Sequence, residues 1–136
     1  MLGAAPGKVL YLVGGIGVTP VISMLEDVYP KGKSLDAVLL YANRSPEDAA
    51  FKDRFDEWNG KNGFSVIYTY SECDLKNGVC EFGFIDEDKL KRRVPDWQER
   101  TIFVFGPPMM VKASRELCAT LGARSERIMF ETFVGY

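Results

Sequence analysis

Apolar residues in this chain gather into short dense runs, separated by stretches where they recur at helical spacing. Lys8–Val13 (KVLYLV) is apolar at every position after its lysine, the pattern of a strand buried on both faces of a parallel sheet. Leu35–Tyr41, Phe64–Tyr70, Thr101–Phe105 and Arg127–Phe130 read the same way, and Phe64–Tyr70 is rich in the β-branched and aromatic residues that strands favour. After the first run, Thr19 is placed to cap a helix with Pro20 at its first position, and Val21, Met24, Leu25 and Val28 follow at helical spacing until Pro30 and Gly32 end it. After the second, Ser45-Pro46-Glu47-Asp48 combines a serine cap, a proline at the first position and acids in the first turn. Phe51, Phe55 and Trp58 then form one apolar stripe, which Asn59-Gly60 and Asn62-Gly63 stop. A polar loop runs from Ser71 to Glu81, and Asp86 caps a short helix through Val94. Beyond the fourth run lies a helix with Met110, Ala113, Leu117 and Leu121 on one face and Gly122 as its C′ residue.

Five strands alternating with four helices predict an α/β domain of three layers, with a five-stranded parallel sheet covered on both faces. In such sheets ligands bind beyond the carboxyl ends of the strands, where strand order reverses. The two loops richest in glycine and proline fall there.

The first loop is Gly14-Gly15-Ile16-Gly17-Val18-Thr19-Pro20, between a buried strand and a helix. Glycines let the backbone turn tightly and approach a pyrophosphate, and the helix end offers N–H groups and a positive dipole. The dinucleotide fingerprint fails at two points: Pro20 stands where its third glycine belongs, and Ala42-Asn43-Arg44 supplies no acid after the second strand. Taken alone, the loop reads equally as a tight turn. The second loop, Phe105-Gly106-Pro107-Pro108-Met109-Met110, alone reads equally as a helix start with core methionines.

Composition narrows the chemistry. A chain of 136 residues fits one domain and can bury about two thirds of its unfolded surface. The net charge of −2 points away from a nucleic-acid partner. The absence of histidine removes Ser-His-Asp and Cys-His nucleophile systems and imidazole metal sites. Cys73, Cys80 and Cys118 are too few to hold an iron–sulfur cluster, and their odd number and spacing read as reduced thiols. Hydride or electron transfer through a borrowed cofactor satisfies these limits. Residues 1–7 lack the basic start of a signal peptide, so the expected location is the cytoplasm, free or on the cytoplasmic side of a membrane.

GGIGVTPVISML, YANRSPEDAAFKDRF and FGPPMMV together resemble the NAD(P)H-binding domain of the ferredoxin–NADP reductase superfamily, in matching order from about Lys8 to Phe133. The resemblance implies a Rossmann-like sheet of order 3-2-1-4-5 and binding of NADH, or NADPH, with FAD or FMN supplied by another domain or subunit. It implies that Gly14, Gly15, Ile16, Gly17, Thr19 and Pro20 form the pyrophosphate and nicotinamide loop, and that Asn43 and Arg44 lie beside the adenosine and phosphates. It places Gly106, Pro107, Pro108, Met109 and Met110 near the nicotinamide. Ser71 and Glu72 fall where NADPH-using members often carry Ser-Arg; an acid there would repel a 2′-phosphate, which favours NADH, although Arg44 or Lys76 can compensate.

Two departures stand out. Phe105 replaces the family cysteine beside the nicotinamide; its ring can stack on the nicotinamide, narrow the pocket or face the core. The flavin-binding barrel and its R-x-Y-[ST] motif are missing from these residues, so residues 1–136 are expected to be the C-terminal half of a two-domain flavin reductase, or to work with a flavin-bearing subunit. Glu131-Thr132-Phe133 resembles the family's terminal segment, which implies that Phe133 or Tyr136 packs near the flavin. The implied partners are a flavin domain and an acceptor: ferredoxin, flavodoxin, a haem protein or a ferric chelate. The rival is a nucleotide-sensing or docking module of the same fold without catalysis. Of the smaller features, Lys89–Arg93 reads as a solvated basic face, Tyr68 and Tyr70 as sheet packing, with Tyr70 also placed to touch adenine.

Overall fold

The computed structural model describes residues 8–28, 36–71, 81–82 and 85–133. In chain order the elements are β1 (Lys8–Gly14), α1 (Val18–Glu26), β2 (Asp36–Asn43), α2 (Lys52–Trp58), β3 (Phe64–Tyr70), β4 (Glu81–Phe82), α3 (Glu87–Arg93), β5 (Thr101–Gly106), α4 (Pro108–Thr120) and β6 (Ile128–Thr132). All strand pairs are parallel, in the order β4-β3-β2-β1-β5-β6. The five long strands keep the expected 3-2-1-4-5 arrangement. The correction is a sixth strand of two residues, β4, on the outer edge of β3. A two-residue bridge has no periodicity to detect. No described helix is long and apolar enough to cross a membrane.

The apolar runs are continuous because alternate residues serve opposite layers. From β1, Val9, Tyr11 and Val13 join α1, α2 and their neighbours, while Leu10 and Leu12 join α3, α4 and Trp97. Tyr11 stacks on Phe103, its register partner in β5, with ring centres 5.4 Å apart.

Three helix expectations change. Gly17, not Thr19, precedes α1, and a 3-10 turn over Gly15–Gly17 feeds directly into it. Pro20 is tolerated because backbone donors in the first turn have no intrahelical acceptor. Ser45-Pro46 opens only a 3-10 turn over Pro46–Asp48; the chain turns outward at Phe51 (φ 61) before α2 begins, so Phe51 is 41% exposed while Phe55 and Trp58 are buried. The buried face of α4 is Val111, Ser114 and Cys118 rather than the stripe through Met110 and Ala113. Val111 follows Met110 by about 100° around the helix, and the sheet selects that neighbouring face. Two ends follow expectation. The Asp86 carboxylate accepts from the Lys89 N–H at 2.9 Å. Gly122 (φ 97) closes α4, with Gly122 N–H donating to Ala119 and Ala123 N–H to Cys118.

The amino end of the sheet is held by a buried cation. Arg100 donates to the Val9 and Asp36 carbonyls and to the Asp36 and Asp96 carboxylates, at 2.9–3.2 Å. Lys8 adds a second bond to Asp96 at 3.1 Å. The Arg100 hydrogen bond holds the Asp96 carboxyl below its usual range.

Candidate functional site

At the opposite, carboxyl end, β1 runs between β2 and β5, and the turn that leaves it is pressed onto the turn that leaves β5. A Cβ on Gly17 would stand 2.5 Å from the Phe105 carbonyl oxygen and 2.7 Å from the Gly106 nitrogen. A Cβ on Gly106 would stand 3.2 Å from the Gly14 backbone and 2.7 Å from Met110 Sδ, and one on Gly14 2.6 Å from that same sulfur. Three glycines therefore let two backbones meet over a methionine side chain. Gly15 is needed for another reason: its φ is 54 and nothing lies within 4 Å of where its Cβ would be. The result is an open cradle of main chain at the start of α1, whose first turn carries no acidic side chain and no side-chain cap. Such a surface suits an anion.

Around this cradle the structure assembles most of the residues singled out from sequence. Ile16 (42% exposed), Thr19 and Met109 (78% exposed) face outward, with Pro108; Pro20, Pro107 and Met110 are half-buried. Phe133 is brought to the β5 edge by its N–H, which donates to the Gly106 carbonyl at 2.8 Å, and its ring packs partly on the core. Of the open readings of Phe105, the structure selects the core. The ring is 6% exposed, joins the layer of Val13 and Val18, and lies 5.9 Å from Phe103. Little of it is left for a nicotinamide or flavin to contact. Side chains alternate along β5, and Phe103 and Phe105 share the covered face.

The second half of the site lies one strand over. Gly14 pairs with Ala42, and Asn43 is the next residue, paired in register with Tyr70. The Ser71 N–H donates to the Asn43 carbonyl at 3.1 Å. Arg44 is exposed and pairs with Asp48 at 3.4 Å. Glu72, Lys76, Cys73, Cys80 and Tyr136 lie outside the described residues.

Tyr70 is buried, and burial, then the negative charge of Asp56, pushes its phenol up to about 12. Its hydroxyl has no hydrogen-bond partner among the described residues. The Asn43 side chain bonds to the Tyr41 hydroxyl. Sequence reading treated Asn43 and Tyr70 separately. Only strand register shows them side by side. The basic run of α3 is largely neutralised: Lys89 is buried beside Asp86, Lys91 pairs with Glu87 and Arg92 with Asp88. No cluster of metal-ligating side chains occurs among the described residues.

A family model, Oxidoreductase NAD-binding domain, matches residues 12–116. A flavohemoprotein from Candida albicans is 31% identical over 137 residues, covering 98% of this chain and 33% of its own length. An NADH-cytochrome b5 reductase 2 from Lodderomyces elongisporus is 35% identical over 108 residues, covering 74% of this chain and 35% of its own. The crystal structure of the cytochrome P450 reductase GcoB from Amycolatopsis shares the fold, with a TM-score of 0.80 at 23% identity over 98% of this chain and 40% of that one. The chain spans about a third of the length of the curated relatives it matches.

Proposed function

The chain belongs to the oxidoreductase NAD-binding domain family, and from that premise we propose that it binds NADH across the carboxyl end of its sheet for hydride transfer to a flavin held outside these residues. The observation that carries this reading is the pair of glycine-dependent turns pressed together beside the start of α1. Main-chain donors there meet the pyrophosphate without a side chain between, and the helix dipole favours its charge. When bound, NADH would supply a hydride and a FAD or FMN held outside these residues would take it up, for onward transfer to a ferredoxin, flavodoxin, haem protein or ferric chelate.

The chain's own residues bind and orient. Gly14–Gly17 hold the pyrophosphate. Gly106 and Met110 form the floor on the β5 side, where the nicotinamide is directed, and Pro107 and Pro108 stiffen that floor. We assign the half-buried Phe133, whose N–H is bonded to the Gly106 carbonyl, to the flavin side of the site. Phe105 supports this floor from below as packing. Hydride transfer between two cofactors requires no protein acid or base, which accords with a site lacking histidine.

Titration of the chain with NADH, followed by amide NMR, tests the binding step. Shifts should concentrate at residues 14–19 and 105–110. Spectra unchanged to millimolar NADH would refute it. Joining the chain to a flavin domain and finding no NADH-driven dye reduction would refute the enzymatic reading.

A further inference from the structure

The two edges of the sheet differ. On the β3 side it ends in β4, a strand of two residues, and brevity guards that edge against pairing with another chain. On the other side it ends in β6, five residues long and without a proline or lysine. The Phe133 N–H donates to the Gly106 carbonyl. By alternation the main-chain groups of Met129 and Glu131 also turn towards β5, and those of Ile128, Phe130 and Thr132 turn outward. No described strand pairs with that outward row. Met129, 45% exposed, and Glu131 stand on the face shared with Phe103 and Phe105. Phe130, 47% exposed, stands on the other face, where the Arg115 guanidinium of α4 covers one side of its ring at 3.6 Å. An open strand edge flanked by exposed apolar side chains is a template for strand addition.

Charge selects the strand that fits. Arg127 and Glu131 stand two residues either side of Met129, so the edge is complementary to itself when reversed about that residue. We propose that β6 pairs antiparallel with β6 of a second copy of this chain, about a two-fold axis at Met129. In that register Ile128 faces the partner's Phe130, and the two exchange main-chain hydrogen bonds on each side of the axis. Met129 faces the partner's Met129, and Arg127 faces the partner's Glu131. Positions 127, 129 and 131 form the non-hydrogen-bonded pairs, whose side chains approach more closely. Arg127 is exposed and gives one N–H to the Glu99 carbonyl at 2.9 Å, which leaves guanidinium donors for a carboxylate. Other registers lose the match. An axis at Phe130 sets Glu131 against Met129, and an axis at Glu131 sets two carboxylates face to face. The carboxyl ends of the two sheets then point in opposite directions, so both glycine cradles stay open. The pairing stands or falls independently of the function proposed above.

Sedimentation of the intact chain at low salt, over micromolar to millimolar concentrations, tests this. A dimer should form with a dissociation constant of about 0.1–1 mM, as a small interface implies. Arg127→Glu and Glu131→Arg each set like charges opposite one another on both sides of the axis, and each should raise that constant about tenfold or more. Mixed in equal amounts, the two variants restore both opposite-charge pairs and should associate about as tightly as the unaltered chain. Met129→Lys leaves Arg127 and its bond to Glu99 in place and should also abolish the dimer by setting two ammonium groups on the axis. Thermal melts establish that each variant is folded. A chain that stays monomeric to millimolar concentration would overturn the proposal and leave the edge to a different chain. So would a dimer that survives Met129→Lys and both charge reversals, or charge-reversed variants that fail to associate when mixed.

Discussion

Gly17→Ala is the sharpest single test of the tight turn-to-turn contact. Gly17 has φ −62 and ψ −8, a conformation open to any residue. Backbone conformation therefore does not oppose alanine there, and the lowered entropy of the unfolded chain would favour it by about 0.4–1 kcal/mol. Against this stands the added methyl, 2.5 Å from the Phe105 oxygen, 2.6 Å from its carbonyl carbon and 2.7 Å from the Gly106 nitrogen. Comfortable contact needs about 3.5–4 Å, so the turns must separate by about 1 Å. They cannot do so cheaply, because Phe105 is paired with Val13 on one side and Glu131 on the other. Overpacking of this kind costs about 1–3 kcal/mol, which outweighs the entropic gain. Urea unfolding should show the unfolding free energy lowered by a net of about 1–2 kcal/mol, seen as a lower midpoint at unchanged slope. NADH affinity should fall as well. Gly15 is the control, since its φ of 54 is the constraint and space is open. Gly15→Asn should be tolerated, because asparagine enters the left-handed region readily, whereas Gly17→Asn should be at least as damaging as Gly17→Ala. A Gly17→Ala protein with an unchanged or higher midpoint would refute the contact.

Further outcomes follow from the rest of the structure. Arg100→Met strands the Val9 and Asp36 carbonyls and should cost about 3 kcal/mol in urea unfolding, against under about 0.5 kcal/mol for Lys91→Met in an exposed pair. Because Asp96 titrates below its ordinary 3.8 when folded, its contribution is present above that value and lost as pH falls through the lower folded one. Asp96→Asn should therefore flatten the acid limb of a stability–pH curve. Burial raises the Tyr11 and Tyr70 phenols from 10.0 to about 12. Their contribution is complete below pH 10 and is lost between 10 and 12, so phenolate absorbance should rise together with alkaline unfolding, and Tyr11→Phe should move that unfolding to higher pH.

The strands were legible because a doubly covered parallel strand is apolar along nearly its whole length, as in Lys8–Val13, or rich in β-branched and aromatic residues, as in Phe64–Tyr70, and neither signal refers to anything distant. Local chemistry also set the Asp86 cap and the Gly122 stop, where each residue acts on backbone a few positions away. The motif order from about Lys8 to Phe133 pointed to the family that the match over residues 12–116 shows. The local signals that failed were overruled from a distance. Ser45-Pro46 has every feature of a helix start, yet the path from β2 to the position where Phe55 and Trp58 bury their rings forces a break at Phe51. On α4, Met110 was drawn off the expected stripe to serve the glycine turns.

The amino-acid sequence by itself determined the alternation of strands and helices, the glycine turns at strand ends and the absence of imidazole chemistry, because each depends on residue type and short-range spacing. Tertiary structure alone decided which residues meet. That Gly17 must be glycine follows from a carbonyl at Phe105, far along the chain. That Phe105 is core follows from the sheet face it shares with Phe103. That Asn43 and Tyr70 form a pair follows from the register of β2 against β3. Spacing along one strand carries no record of its alignment with the next; packing of the whole sheet sets that alignment.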